Sequence, residues 1–335
     1  MKRILVVAIV LALSIGLLPT AAFAGDTSTG SFTAENVLPT ITSVEIIPAG
    51  GGSALTSMTP GVAYKAKIVA GDANTVEDID QVRVAIVYTA AASDPTDDPG
   101  ETGYTQTLAC LKWVKSGDAW SISPVGGSPA TTWSITSGSC TKPSDMGLTT
   151  GTWEFYFTVG KVATKALGGN GVAGWDLFGE VKDEGTAVES WGDRDLGMAW
   201  YGGIAVTGNA AFGSVALGCV DAASSAVSAT YISNGDYSEQ VKSSTPWAAT
   251  GGSVALNIAG TPGSGEFSLK ADDDATTDGY VQVLSVSYVD IAADESLTTE
   301  SGDTTADNTL WLSLGSSGIP VGAYTGTVTY KIANR

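Results

Sequence analysis

The 335-residue chain contains no histidine. That absence excludes Ser-His-Asp and Cys-His nucleophilic schemes and the His-based zinc sites of metalloproteases. Cysteine is scarce too: Cys110, Cys140 and Cys219 are the whole set, with no Cys-x-x-Cys spacing to hold a structural zinc. Charged residues make up 15% of the chain, and 35 acidic residues outnumber 16 basic ones for a formal charge of −19. A balance of that sign argues against nucleic acid as a partner and against adsorption to an anionic membrane surface. Long stretches of Glu, Lys, Leu and Arg are missing, and so is any Asn-x-Ser/Thr glycosylation acceptor. No sorting motif, C-terminal apolar tail or surface-layer-homology repeat is present, so retention on a cell would need non-covalent assembly or a partner.

Glycine, at 42 residues, leads what is there, with Ser, Thr, Ala and Val around it. That is β composition with many turns. The chain opens Met1-Lys2-Arg3, runs apolar over residues 4–18, and continues Pro19-Thr20-Ala21-Ala22-Phe23-Ala24. Two cations, a short apolar core and a small-x-small site describe a secretory signal peptide over residues 1–24, cleaved after Ala24. Gly25 follows where a lipoprotein would need Cys. The expected location is therefore extracellular, at the cell surface, with no transmembrane segment after cleavage. Residues 25–38 read as a flexible Ser/Thr/Gly leader. The remaining length suggests two domains, at 39–206 and 208–335.

The centre of the first domain is the stretch 151–182. Trp153, Phe155, Phe157 and Val159 alternate with Glu154, Tyr156 and Thr158, the period of a half-buried strand. After a Gly-rich loop, Trp175-Asp176-Leu177-Phe178-Gly179-Glu180-Val181 repeats the pattern. Two aromatic-rich strands need a facing sheet, which places the centre of a β-sandwich here. The acidic, Pro-broken loop 92–104 and a meander of strands at 105–114, 119–122 and 132–137 precede it. Residues 162–167 form the one helical turn expected. In the second domain, strands are expected at 211–220, 226–233, 254–258, 267–271, 281–288, 309–314 and 325–332. The fold class is all-β, two consecutive antiparallel β-sandwich domains. Three times a Gly turn precedes an aromatic that starts a strand, at Gly61/Tyr64, Gly151/Trp153 and Gly322/Tyr324, so each aromatic is expected to pack under its turn.

Pro39-Thr40-Ile41-Thr42-Ser43-Val44, the Pro60-Gly61…Tyr64 entry, Gly71-Asp72…Asp78-Ile79-Asp80-Gln81-Val82 and Trp175-Asp176-Leu177 resemble Ig-like modules of archaeal and bacterial envelope proteins. The resemblance covers residues 39–206. It implies Ig-like sandwiches that act as spacers, adhesion units or lattice subunits, some with calcium at loop ends. The stretch from Ile319-Pro320-Val321-Gly322 to Tyr330 is similar to the closing hairpin of WxL-type surface domains, which associate with cell walls. Here Trp311 is followed by Leu312 and Ser313, without the paired Trp-x-Leu motifs of those domains.

Asp72, Asn74, Asp78 and Asp80 crowd one loop with the hard oxygen ligands that Ca²⁺ takes, although Glu77 stands where an EF-hand needs glycine. Asp272, Asp274 and Asp278 form a second such group beside Asp273, and both groups also read as solvated acidic turns. Ca²⁺ is the only cofactor these residues suggest. Cys110 and Cys140 are the candidate disulfide in an exported chain, and Cys219 is a small buried hydrophobe. Nine tryptophans admit sugar stacking, but Trp153 and Trp175 sit on apolar strand faces, and packing is the expectation for the rest. No pair of carboxylates stands out as a glycosidase pair, so no enzyme activity is expected. The expected function is a secreted structural subunit of an envelope lattice, matrix or filament, joined to itself or to other envelope proteins. The leader has few large apolar residues for a donated strand, which favours a lattice or matrix. The alternative is an adhesin or carbohydrate-binding module that meets glycans through surface aromatics.

Overall fold

The structure is a computed structural model. It describes residues 36–89, 107–123, 133–169, 173–183, 186–298 and 303–335. The expected signal peptide, most of the leader and the acidic loop with Asp94, Asp97, Asp98 and Glu101 lie outside the described residues. Residues Val37–Arg335 form one compact unit. Among the described residues no helix is long and apolar enough to cross a membrane.

The chain builds two β-sandwiches. The first uses β1 (Thr40–Pro48), β2 (Ser57–Met58), β3 (Ala63–Gly71), β4 (Ile79–Thr89), β5 (Thr107–Val114), β6 (Ala119–Ser123), β7 (Ser134–Ile135), β8 (Thr150–Thr158), β9 (Gly174–Asp183), β10 (Thr186–Trp191) and β11 (Gly197–Met198). One sheet runs β1-β3-β8-β7 and the other β10-β9-β4-β5-β6, both antiparallel throughout. The two aromatic strands of the sequence lie in opposite sheets, β8 in one and β9 in the other. Their inward residues Trp153, Phe155, Phe157, Trp175, Leu177 and Val181 are all fully buried in one core. Period-2 alternation puts every second side chain on that face, and the rings continue across it. Trp133 stacks on Phe157 at 5.9 Å and tilts against Trp175 at 5.7 Å, while Trp113 meets Trp153 at 5.8 Å.

The second sandwich uses β12 (Gly202–Thr207), β13 (Ala222–Ala223), β14 (Val227–Ser233), β15 (Tyr237–Ser243), β16 (Trp247–Ala249), β17 (Gly252–Leu256), β18 (Glu266–Asp272), β19 (Val281–Gln282), β20 (Val289–Glu295), β21 (Asp303–Leu314) and β22 (Val328–Asn334). The larger sheet runs β12-β14-β21-β18-β17-β16, and the smaller β20-β15-β22. β12 sits at the end of the stretch grouped by sequence with the first sandwich, and it pairs with β14 of the second. Phe267, Leu269, Leu310 and Leu312 of the larger sheet pack against Val241 and Ile291 of the smaller.

Several local expectations change. Residues 162–167 make no helix: Lys161 and Val162 form a turn, and Ala166 bridges to Met198. Residues 211–220 form no strand. Phe212, Val215 and their neighbours instead lie as an irregular cover on the larger sheet, so their apolar character serves packing and not a hydrogen-bond ladder. The expected closing hairpin is also absent, because β22 pairs with β15 and residues 319–324 are irregular. Two of the three aromatic corners form; the third does not, because Gly151 lies inside β8, paired with Ala70, and makes no turn before Trp153. The Tyr64 hydroxyl accepts from the Thr59 N–H at 2.8 Å, and the Tyr324 hydroxyl donates to the Pro320 carbonyl at 2.7 Å. The Tyr64 hydroxyl pins a turn that glycine permits, with Gly61 at φ 75°.

Candidate functional site

The sandwiches meet at a joint centred on Asn234. This side chain is fully buried just after β14. Its amide nitrogen donates to the Ala163 carbonyl at 2.7 Å and the Ala199 carbonyl at 2.8 Å, and its oxygen accepts from the Tyr201 N–H at 2.7 Å. The Asn234 carbonyl also accepts from the Lys165 N–H at 2.8 Å. Lys165 then reaches the last strand, donating to Asn334 Oδ1 at 2.9 Å. Trp175 ties the joint to the first core, for its indole N–H donates to the Thr164 carbonyl at 3.0 Å. A buried amide with all of these bonds made holds two bodies in one orientation, because any rotation leaves polar groups unpaired away from water. Asn-Gly-Asp at 234–236 reads in sequence as an ordinary turn, so nothing there signals a joint.

The edges of the sheets differ in protection. The β1 edge is covered: Asp193 donates its N–H to the Val44 carbonyl at 2.9 Å, and its carboxylate accepts from the Ile46 N–H at 3.2 Å. Burial pushes the Asp193 carboxyl above the usual carboxylate range, against the opposing pull of that N–H. Edge strand β10 carries Glu189 at its middle. Edge strand β6, Ala119-Trp120-Ser121-Ile122-Ser123, carries no charge and no proline. Trp120 and Ile122 lean on the core, and Ala119, Ser121 and Ser123 face solvent. An edge of that composition lacks the devices that block pairing with another strand.

The acidic groups fall as follows. Asp72 is buried, and its Oδ1 accepts from the Asn74 N–H at 2.7 Å, an Asx turn within its own loop. Asp78 belongs to the short 3₁₀ turn Val76–Asp78, and Asp80 is exposed at the start of β4. Asp272 is buried at the end of β18, while Asp274 and Asp278 are exposed. Asp274 accepts from the N–H and hydroxyl of Thr276. Bonds of this kind hold Asp278 below its ordinary range, Thr276 first among them. Among the described residues no three Asp, Glu or Cys side chains are gathered as a metal-holding group.

Asp272 is pushed up to about 6, by burial first and then by the neighbouring Asp273. Between pH 4 and 6 this carboxyl therefore holds its proton more in the folded protein than in the unfolded chain, and its contribution to stability falls as pH rises through that window. Asp272→Asn is expected to raise the melting temperature by about 2–5 °C at pH 7.5, a gain of about 1–2 kcal/mol after solvent screening, and to change it little at pH 4. Equal shifts at both pH values in thermal scans would remove titration as the cause.

The expected Cys110–Cys140 disulfide is not formed. Ala109, Leu111 and Trp113 of β5 face the core, so alternation turns Cys110 to the outer face of the five-stranded sheet. Cys140 lies beside the other sheet, where its sulfur accepts from the Tyr156 N–H at 3.2 Å and burial raises its thiol. Side chains on opposite sheets with diverging directions cannot close an S–S bond. Cys219 is half-buried, its thiol directed at the Leu312 carbonyl. Of the nine tryptophans, Trp113, Trp133, Trp153, Trp175, Trp247 and Trp311 are buried and Trp120, Trp191 and Trp200 half-buried. No row of exposed indoles is available for a sugar ring.

No family model matches the chain, and no curated protein matches it. Among solved structures it is similar to a 35 kDa C-terminal fragment of the major pilin of Streptococcus agalactiae. The identity is 7%, over 89% of this chain and 87% of that one, with a TM-score of 0.22. A likeness at that score carries no argument, and the β-sandwich assignment rests on the sheets themselves.

Proposed function

We propose that the protein is an exported structural subunit of a cell surface, assembled with further copies or with other envelope proteins through contacts between Ig-like β-sandwiches. The observation that carries this reading is the uncharged β6 edge on a body stiffened by the Asn234 joint. Stiff bodies transmit geometry from one contact to the next, and an open edge pairs with another strand at little entropic cost. The signal-peptide pattern of residues 1–24 supports export. The acid-rich surface supports solubility until contact.

Negative-stain microscopy of the exported chain tests the proposal, with calcium or with chelator. Ordered sheets or filaments are expected. A Ser121→Lys, Ser123→Lys double variant places two charges on β6 and is expected to weaken ordered assembly by roughly tenfold while leaving the melting curve in place, since both side chains are exposed. Dispersed monomers under every condition would overturn the structural reading. Assembly only with calcium would bring the Asp72–Asp80 and Asp272–Asp278 loops back as ion sites.

A further inference from the structure

Among the described residues, most sheet ends are closed, charged or short. β1 is covered by Asp193, β16 is bridged by Thr325, and β2, β7, β11, β13 and β19 have two residues each. β10 carries Glu189, β20 carries Asp290 and β22 carries Lys331. Two ends have none of these devices. β6 is Ala119-Trp120-Ser121-Ile122-Ser123 and β12 is Gly202-Gly203-Ile204-Ala205-Val206-Thr207, neither with a charge or a proline. β6 bonds to β5 and β12 to β14. On the outer side of each strand the N–H and C=O groups meet no partner among the described residues. A ladder side of that kind accepts a further strand.

The side chains of the two strands match. In β6 the large residues Trp120 and Ile122 face the first core, and Ala119, Ser121 and Ser123 face out. The same alternation holds in β12. Ile204 packs on the second core opposite Tyr231, and Val206, opposite Ala229, has the same inward parity. Gly203, Ala205 and Thr207 take the outer face. Val206 is nevertheless 44% exposed, with no neighbouring strand of its sheet on the free side. It borders a slot of about 320 Å³ between β12 and β22, which shares Ala210, Trp247 and Tyr324 with a cleft of about 690 Å³ over the larger sheet. No charged residue lines either one. A strand with large inward and small outward residues, laid beside β12, closes this margin.

Charge selects among three pairings. Copies at −19 repel at long range, so an edge contact gains from a cation beside it and loses where two cations face each other. Lys112 is the one charged residue of β5 and lies directly opposite Ser121. β6 against its own copy would set Lys112 against Lys112 across two uncharged strands. β12 against its own copy would join two acidic bodies with no cation near the seam, since β14 is uncharged, as is the whole stretch 196–220. β6 against β12 places Lys112 beside the uncharged margin of an acidic body. Resting on the structural reading above, we infer that β6 of one copy pairs with β12 of the next. This joins the five-stranded sheet of the first sandwich to the larger sheet of the second. The contact is heterologous, so it propagates as an open chain instead of closing a dimer.

The test uses the exported full chain in sedimentation velocity and microscopy. Ala205→Lys with Thr207→Lys charges β12 at two exposed positions. It is expected to leave the melting curve in place and to weaken association by about tenfold or more. Mixed in equal amounts with the Ser121→Lys, Ser123→Lys chain, it is expected to form two-copy species and nothing longer, since one intact β6 meets one intact β12. Ala205→Glu with Thr207→Glu in its place is expected to restore long chains in that mixture, because glutamates on β12 then face lysines on β6. Dimers of the β12 variant alone would show β6 pairing with itself, and dimers of the β6 variant alone would show the same of β12; either overturns the inference. A β12 variant that assembles as the native chain does overturns it too and leaves the structural reading standing. A native chain that stays monomeric overturns that reading, and the inference with it.

Discussion

Replacing Asn234 by alanine is expected to destabilise the protein by about 3–5 kcal/mol and to free the two sandwiches from one another. The substitution leaves the Ala163 and Ala199 carbonyls and the Tyr201 N–H without the bonds that the amide makes, the first of them buried and the other two partly so. Each buried group left unpaired costs about 1–3 kcal/mol. Asn234→Asp is the sharper variant, because it keeps size and shape but points a carboxylate oxygen at two carbonyls. It is expected to be at least as damaging as alanine. Chemical denaturation measures the loss of stability, and small-angle scattering measures the loss of a fixed inter-sandwich distance. A wild-type scattering profile from a destabilised Asn234→Ala protein would show that the joint is held by something else, with Lys165 and Asn334 the next pair to remove.

The second large effect is expected at Trp175. Trp175→Ala deletes a fully buried indole that packs on Tyr88 at 5.5 Å and on Trp133 at 5.7 Å. It also leaves the Thr164 carbonyl without its donor. Large-to-small changes of this kind cost about 3–5 kcal/mol, enough to unfold a marginal body at moderate temperature. Trp175→Phe separates the two contributions. It retains most of the ring packing and removes the N–H, so its loss is expected to be about 1–2 kcal/mol. Near-UV circular dichroism follows the aromatic core directly, and an unchanged signal in Trp175→Ala would contradict the central place given to this ring. If both Trp175→Phe and Asn234→Ala broaden the scattering profile, the core and the joint act together through Thr164.

The stretch 151–182 was readable because its inward positions are all large and apolar, so period 2 and burial coincide at Trp153, Phe155 and Phe157. Strand β15 was not. Its inward positions include Glu239 and Ser243 beside Tyr237 and Val241, and all four are buried. A buried glutamate gives no apolar alternation to find, and its burial depends on what packs opposite. Tyr231 lies beside it, its hydroxyl driven well above the ordinary range by burial and by Glu239. The face occupied by Cys110 did carry a signal, since Ala109, Leu111 and Trp113 mark the inward parity and exclude the residue between them. Membership of one domain and expected export suggested a pair that parity forbids.

The stretch 211–220 shows the reverse failure. Phe212, Val215 and Leu217 resemble strand residues, but they cover the larger sheet as an irregular segment. Phe212 and Val215 are half-buried and Leu217 is exposed, so apolar content records neither full burial nor whether the backbone finds a ladder. The acidic loops divide in the same way. Crowding of Asp72, Asn74, Asp78 and Asp80 is visible in one dimension, yet Asp72 turns inward to cap its own turn while Asp80 faces out.

Composition and alternation thus determined by themselves the all-β class, the first core and the corner role of Tyr64 and Tyr324, because each depends on neighbours close in sequence. The joint at Asn234, the place of β6 at the end of its sheet and the cleft over the larger sheet were decided by the tertiary structure. Each is made where segments far apart in the chain meet, and an amide, a serine edge or a valine at a rim acquires its role only from the partner that folding brings to it or leaves away.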